Sequence, residues 1–396
     1  MANVSSSNGL EYTPKLRFPR FPEVWKDCIL SDVLTERKEY CEKDGTYEHA
    51  TLSKDGIYGK TDRYNRDFLV ADENKAYKIT RKWDLCYNPA NLKFGVICLN
   101  TYGNAIFSPI YVTFDIADNF SKEFIGHALS RWNFINRALK FQQGTVYERM
   151  AVSPEDFVSI HCRFPEINEQ EKIASFLHII DKRIAKHAEY IDCLKKYKRG
   201  LLKAVFSREV QYESGGVWEN KTFADVAALG KGKYTPQPNE ILPCIELEHL
   251  EQQTGRILGY ANSNEQHSVK TKFSKGDVLF GKLRPYLQKY ALPEYDGVCS
   301  SEIWVLRPAT DIDSTFLFYL VQSEAFLAAA NISAGTKMPR AEWSKVSAER
   351  FFVPEIVEQR KIAGLFACLD RRINNLSSSS QELHQLKQAL LQQLFI

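Results

Sequence analysis

None of the nine cysteines forms a CxxC pair, and none stands beside a histidine at the spacing of a zinc-binding set. They are odd in number and scattered (positions 28, 41, 86, 98, 162, 193, 244, 299 and 368), which argues against a disulfide framework and for buried free thiols in a reducing compartment. Long hydrophobic runs are also missing: none approaches the roughly 18 residues of a membrane span. The start, MANVSSSNGLEYTP, lacks the basic and apolar segments of a secretory signal, so the expected location is the cytoplasm. Charge of one sign is scarce, since 52 Lys and Arg face 49 Asp and Glu for a net +3. Any nucleic-acid binding must therefore use local patches. Gly230-Lys-Gly-Lys233 lacks the spacing of a phosphate loop, Glu36-Arg-Lys38 has no convincing nuclease partner, and the eight histidines show no pairing. No cofactor, metal site or catalytic residue is expected.

What the chain does contain is itself, twice. Residues 165–174 read PEINEQEKIA and residues 354–363 read PEIVEQRKIA, identical at eight of ten positions. The match extends without a gap from Pro165–Phe206 to Pro354–Phe395, sharing Asp181/Asp370, Arg183/Arg372, Leu194/Leu383 and Lys198/Lys387. Earlier echoes lie 193 residues apart: Trp25 with Trp218, Asp32-Val33 with Asp225-Val226, Asp84–Tyr87 with Asp277–Phe280, and Ser108–Val112 with Ser301–Val305. A two-fold internal duplication explains all of them. At 396 residues, 44% of them hydrophobic and 12% aromatic, the chain has room for two ordinary cores.

The densely repeated segment predicts a long helix. Each copy opens on proline with glutamates in its first turn, a favourable N-terminus. Apolar residues then recur at steps of four and three: Ile173, Leu177, Ile180, Ile184, Ile191, Leu194 and Leu201 in the first copy, and Ile362, Phe366, Leu369, Ile373, Leu376, Leu383 and Leu390 in the second. That is the seam of helices packing side by side, and their simplest mutual burial is an antiparallel pair. A break near Asp181 and Asp370 stays open, and Ser377–Ser380 is a poor helical stretch. The sparsely repeated regions predict mixed α and β domains: short strands such as residues 95–99, an amphipathic helix around 120–139 and 314–330, and a polar loop holding Gly144-Thr145 or Gly335-Thr336. The expected fold class is α+β, with two mixed α/β domains separated by two long antiparallel coiled-coil helices under a pseudo-two-fold repeat. Expected boundaries are 1–24 (a segment completing the C-terminal repeat), 25–163, 164–210, 211–353 and 354–396. The helix of the first copy is followed by residues 207–212 and Trp218; at the other end of the chain the matching tail stands as Lys15–Phe18 before Trp25, so that a circular arrangement completes the symmetry.

With LRFPRFPEVW (residues 16–25), KGDVLFGKLRPY (275–286), SAGTKMPR (333–340) and the two PEI-x-EQ-x-KIA helices, nearly the whole chain resembles the specificity subunit of a type I restriction-modification enzyme. The resemblance implies two DNA target-recognition domains, each followed by a helical region, and a non-catalytic subunit that reads a bipartite, asymmetric site. Its implied partners are double-stranded DNA, two DNA adenine methyltransferase subunits and restriction/translocase subunits. A two-headed coiled-coil scaffold without DNA is the alternative. The first domain departs from the pattern, having Asn88-Pro89 where the second has Gly281-Lys-Leu-Arg-Pro285. Tyr87-Asn-Pro-Ala90 shares only part of the Asn-Pro-Pro-aromatic loop of adenine methyltransferases, and no glycine-rich turn precedes it, so catalysis there is not expected.

Clusters of cations, amides and aromatics on loops are the candidate DNA contacts, because Arg and Lys suit guanine edges or phosphates and Asn or Gln suit adenine. In the first domain they are Lys60, Arg63, Tyr64 and Arg66, with Gln142, Gln143, Thr145 and Arg149. In the second they are Lys231, Lys233 and Tyr234, then Lys282, Arg284 and Tyr286, then Thr336, Lys337 and Arg340. Pro285 is expected to bias Arg284 toward an extended backbone that projects its guanidinium outward. Taken singly, each is better explained by a solvated surface charge; as clusters in matching domains, binding explains them equally well. Residues 167–210 carry ten Lys/Arg against six Asp/Glu, and 356–396 carry five against three, which leaves the remainder slightly acidic. Domains with so little positive charge are expected to hold DNA weakly alone, since phosphate neutralisation supplies much of the affinity.

Overall fold

The computed structural model describes residues 13–42, 45–60, 76–144, 150–209, 217–332 and 338–396. The chain divides into two compact units, the first Met1–Lys186 with Ser379–Ile396, the second His187–Ser378.

The duplication seen in the sequence holds strand for strand. In the first unit, Lys26–Ile29 pairs with His161–Phe164, a four-stranded sheet runs in the order Leu34–Glu36, Val112–Ile116, Leu85–Tyr87, Ile97–Leu99, and a five-stranded sheet in the order Tyr40–Cys41, Tyr77–Thr80, Ala105–Phe107, Glu48–Ser53, Gly56–Gly59. In the second, Glu219–Thr222 pairs with Arg350–Val353, the four-stranded sheet runs Ala227–Leu229, Ile303–Pro308, Val278–Gly281, Tyr290–Ala291, and the five-stranded one Lys233–Tyr234, Lys270–Phe273, Gly297–Cys299, Pro243–Ile245, Ala261–Asn262. Each five-stranded sheet holds one parallel pairing at the same place, Glu48–Ser53 with Ala105–Phe107 and Pro243–Ile245 with Gly297–Cys299.

The single helix expected over each of 120–139 and 314–330 is two helices in both units. α1 (Lys122–Leu129) ends at Ser130, whose hydroxyl bonds back to Gly126 O at 2.7 Å, and Trp132–Ala138 begins after an extended Arg131. In the second unit α2 (Ser314–Leu320) gives way to Glu324–Asn331, capped by the Ser323 hydroxyl. Serine favours such breaks because its side chain competes for backbone hydrogen bonds.

The repeated segments form α3 (Ile167–Phe206, 40 residues) and α4 (Ile356–Gln393, 38 residues), with no break at Asp181 or Asp370. Ser377–Ser380 stays helical; the Ser377 hydroxyl donates to Ile373 O at 2.8 Å and Ser377, Ser379 and Ser380 are half-buried. Every expected seam residue is buried or half-buried. Ile173, Ala174 and Leu177 of α3 enter the core of the first unit with Leu394 and Phe395, which follow α4. Leu202 and Val205 of α3 enter the core of the second with Ile362, Ala363 and Phe366 of α4.

The near-identity of the two helix starts has a physical cause. The Gln170 amide accepts from Ser121 N–H (3.0 Å) and donates to Pro165 O (2.8 Å). The Gln359 amide accepts from Asp313 N–H (2.8 Å) and donates to Pro354 O (2.9 Å) and Asp311 O (3.0 Å). Both glutamines are buried, as are the preceding glutamates. Glu169 accepts two 2.7 Å bonds from the Arg17 guanidinium, whereas Glu358 accepts from Trp218 Nε1 at 3.1 Å. A buried polar group without such partners is costly. The Glu-Gln pair therefore serves the junction of domain and helix. The N-terminal segment is tied into the first unit by Arg17 and by Leu16 N–H, which donates to Gln393 O at 2.9 Å.

Candidate nucleic-acid interface

In the second unit the strand Val278–Gly281 is wholly buried and delivers the chain to the surface at Gly281, where a Cβ would stand 3.0 Å from Leu247 Cδ2. Backbone hydrogen bonds then hold the emerging loop. Gly281 N–H donates to Lys289 O (2.8 Å), Lys282 N–H to Glu302 O (2.9 Å) and Arg284 N–H to Pro339 O (2.8 Å), while Ala341 N–H donates to Lys282 O (2.8 Å). Two segments chosen from the sequence, 282–286 and 338–341, are thus brought together. Arg284 and Tyr286 are exposed and Lys282 is half-buried. Neither the Arg284 guanidinium nor the Lys282 ammonium has a hydrogen-bond or ion-pair partner among the described residues. Arg340 is different: its guanidinium grips the Glu302 carboxylate at 3.0 and 3.2 Å.

The backbone expectation at Arg284 is overturned. It is left-handed, at φ 52 and ψ 61, because the bond to Pro339 and the return of Leu287 N–H to Arg284 O (2.9 Å) close a tight turn over Pro285–Leu287. Tertiary hydrogen bonds outweigh the local preference set by Pro285.

Tyr234 is a second correction. Its ring is 4% exposed in a small core with Cys244 and Val298, its hydroxyl meets Ser263 Oγ at 3.2 Å, and Lys272 Nζ lies 5.5 Å from the ring centroid. It has no free face for a base. Lys231 and Lys233 flank Gly232 on the surface, and no hydrogen bond among the described residues joins them to the 282–286 loop.

In the first unit, Lys60 follows the strand Gly56–Gly59 and is half-buried. Arg63, Tyr64, Arg66, Thr145 and Arg149 lie outside the described residues, as do Thr336 and Lys337 in the second. The Gln142 amide donates to Met150 O (3.0 Å) and the Gln143 amide to the Asp156 carboxylate (3.1 Å), so both amides brace their own loop instead of standing free for a base. Asn88 makes a turn, its Oδ1 accepting from Ala90 N–H (3.1 Å) and Asn91 N–H (3.3 Å). Tyr87 is buried, stacked on Phe114 and Phe157, and donates to Val152 O at 3.0 Å. Val152 N–H reaches Pro89 O at 3.4 Å, a contact placed like that of Ala341 with Lys282. Both units thus use one scaffold, with a basic exposed loop in the second and a closed Asn-Pro turn in the first.

The described residues hold no His/Cys/Asp/Glu group suited to a metal ion, and none of their helices is long and apolar enough to cross a membrane. Burial pushes the Cys98 thiol up to about 12 and Cys162 and Cys244 up to about 11, away from thiolate reactivity. Not all the thiols are buried as expected, since Cys193 and Cys368 are exposed.

Comparison with known proteins fits this geometry. The type I restriction modification DNA specificity domain matches residues 216–387, which include the 282–286 loop. The chain is 28% identical over 187 residues to the EcoDI specificity subunit of Escherichia coli, covering 45% of this chain and 41% of that one. It is 23% identical over 270 residues to the MjaVIII specificity subunit of Methanocaldococcus jannaschii (61% and 62%), and 30% over 136 residues to the HindI specificity subunit of Haemophilus influenzae (32% and 29%). Each aligned stretch spans less than two thirds of the relative's own length. The fold is shared with the S subunit of a type I restriction-modification system from M. genitalium, at TM-score 0.60 and 17% identity over 97% of this chain and 99% of that one. A chain from the structural study of complex assembly and conformational transition of the type I R-M system gives TM-score 0.56, 17% identity and coverage of 95% and 98%. The fold is therefore that of two mixed α/β domains with a pair of long helices, as solved for S subunits. The domain match, the sequence relatives and the shared fold together support a protein of the type I restriction-modification specificity-subunit family.

Proposed function

We propose that this chain is the non-catalytic subunit that gives a type I restriction-modification enzyme its sequence specificity, working in the cytoplasm. Each unit reads one half of a bipartite, asymmetric DNA site, and the chain docks two adenine methyltransferase subunits and the restriction/translocase subunits. The observation that carries this reading is one strand order used twice beneath unlike loops. A conserved scaffold with divergent surface loops suits two different half-sites, since loops carry recognition on rigid frames. In the second unit Lys282, Arg284 and Tyr286 are the DNA contacts; Lys231 and Lys233 suit phosphate.

Net charge sets the conditions. The helical segments carry the net positive charge and the rest of the chain is slightly acidic, so DNA affinity depends on the methyltransferase subunits as well. Footprinting of the chain assembled with those subunits tests the reading. Two protected base-specific stretches with an unread gap are expected; one contiguous protected sequence, or protection without sequence preference, would overturn it.

A further inference from the structure

Among the described residues of the second unit, left-handed backbone at positions other than glycine occurs at Arg208, Gln253, Arg284 and Gln288. Three of these four stand on two loops that touch. Gln253 N–H donates to Gln288 O at 2.9 Å, and the neighbouring pair Gln252 and Lys289 forms a bridge. Lys289 in turn accepts from Gly281, which opens the loop holding Arg284. One run of backbone hydrogen bonds therefore fixes Gln253, Gln288 and Arg284 on the same rim.

A Cβ is sterically disfavoured at positive φ, and glycine or asparagine is the usual occupant. Here φ is 63 at Gln253 and 51 at Gln288. Neither glutamine compensates through its side chain, because no hydrogen bond to a described residue engages either amide. Gln253 is exposed and Gln288 half-buried. Folding alone gives no reason for these residue types, and strain of this kind collects at functional sites. A carboxamide offers a donor and an acceptor side by side, the complement of adenine N7 and N6 in the major groove. Being neutral, it suits a base edge better than a phosphate.

We propose that Gln253 and Gln288 are adenine-reading residues of the second unit, acting beside Arg284. This rests on the DNA-reading function proposed above. The test uses Gln253→Gly, Gln288→Gly and the double variant, each assembled with the methyltransferase subunits. Glycine removes the amide while suiting the backbone, so the variants should melt at or above the wild-type temperature. Affinity is then measured on duplexes in which each adenine of the second half-site is replaced, one at a time, by 7-deazaadenine, which lacks the N7 acceptor. Wild type should lose roughly 5- to 100-fold at one or two adenines. The variants should show that loss already on the natural duplex and little more on the modified one. Variants that discriminate at every adenine as wild type does would overturn the proposal and leave the function standing, as would a second half-site without adenine. A wild-type complex with no sequence preference would overturn both.

Discussion

An aspartate of one long helix meets a lysine of the other in each unit, but in different company. In the second unit Asp370 of α4 accepts from Lys198 of α3 at 2.7 and 2.8 Å and from the Tyr319 hydroxyl at 2.9 Å, and Gln322 Oε1 takes a further lysine proton at 3.1 Å. In the first, Asp181 of α3 meets Lys387 of α4 at 2.5 Å, and His127 stands where the second unit has Tyr319. A cavity of about 710 Å³ opens beside all three. The lysine side chain is 9% exposed in the second unit and 21% in the first. The repeat has kept the groups that join domain to helix, closed the network once and left it open once.

That contrast orders the expected effects of substitution. Asp370→Ala strands the Lys198 charge, whose pKa burial already lowers, and should cost about 3–5 kcal/mol of stability. Asp181→Ala, whose partners keep more contact with water, should cost under about 1 kcal/mol. Denaturant unfolding of both variants breaks the comparison if the two costs are equal. Gln359→Ala removes three hydrogen bonds at the base of α4 and Gln170→Ala two at the base of α3. The first should cost about 3 kcal/mol and the second about 2 kcal/mol, measured in the same way.

Loop variants should act on binding and not on stability. Arg284→Ala should lose about 1–3 kcal/mol and relax preference at one base position, while Lys282→Ala should weaken all duplexes alike and reduce the salt slope by about one. Titration on single-base variants at two salt concentrations separates the two.

The first unit should also respond to pH. Burial, then the Lys387 charge, holds His127 down at about 4; His178, which lies 3.7 Å from Glu123, pushes the same way and Asp181 opposes. The folded value lies below the ordinary 6.5, so the unfolded chain takes up the proton first. Stability should therefore fall as pH drops from 6.5 toward 4, and His127→Gln should flatten that slope. Melting temperatures at pH 7 and 4.5 check it. Burial pushes the matching Tyr319 hydroxyl upward, so no change is expected from it in this window.

Much of this was legible in the sequence. The Glu-Gln pairs, Asp181/Asp370 and Lys198/Lys387 stand out because polar groups with fixed partners resist divergence, and the seam because a period of 3.5 over forty residues is a strong signal. Strands of two to four residues such as Tyr40–Cys41, Lys233–Tyr234 and Ala261–Asn262 are too short to show alternation, so the five-stranded sheets went unread. Tyr234 was misread since a Tyr beside lysines looks the same whether its ring lies in the core or on the surface. Gln253 and Gln288 gave no sign, because left-handed backbone at glutamine has no sequence signature. Gly281 and Pro285 mark the basic loop as a turn, yet only the tertiary bonds to Glu302 and Pro339 decide its shape.

The central claim is that each unit reads its own half-site. It is tested most directly by selecting sites from a random duplex pool with wild type and with Arg284→Ala, each assembled with the methyltransferase subunits. Selected sites should change at one position of one half, with the other half and the gap unaltered. Changes spread over both halves, or none in either, would contradict the claim.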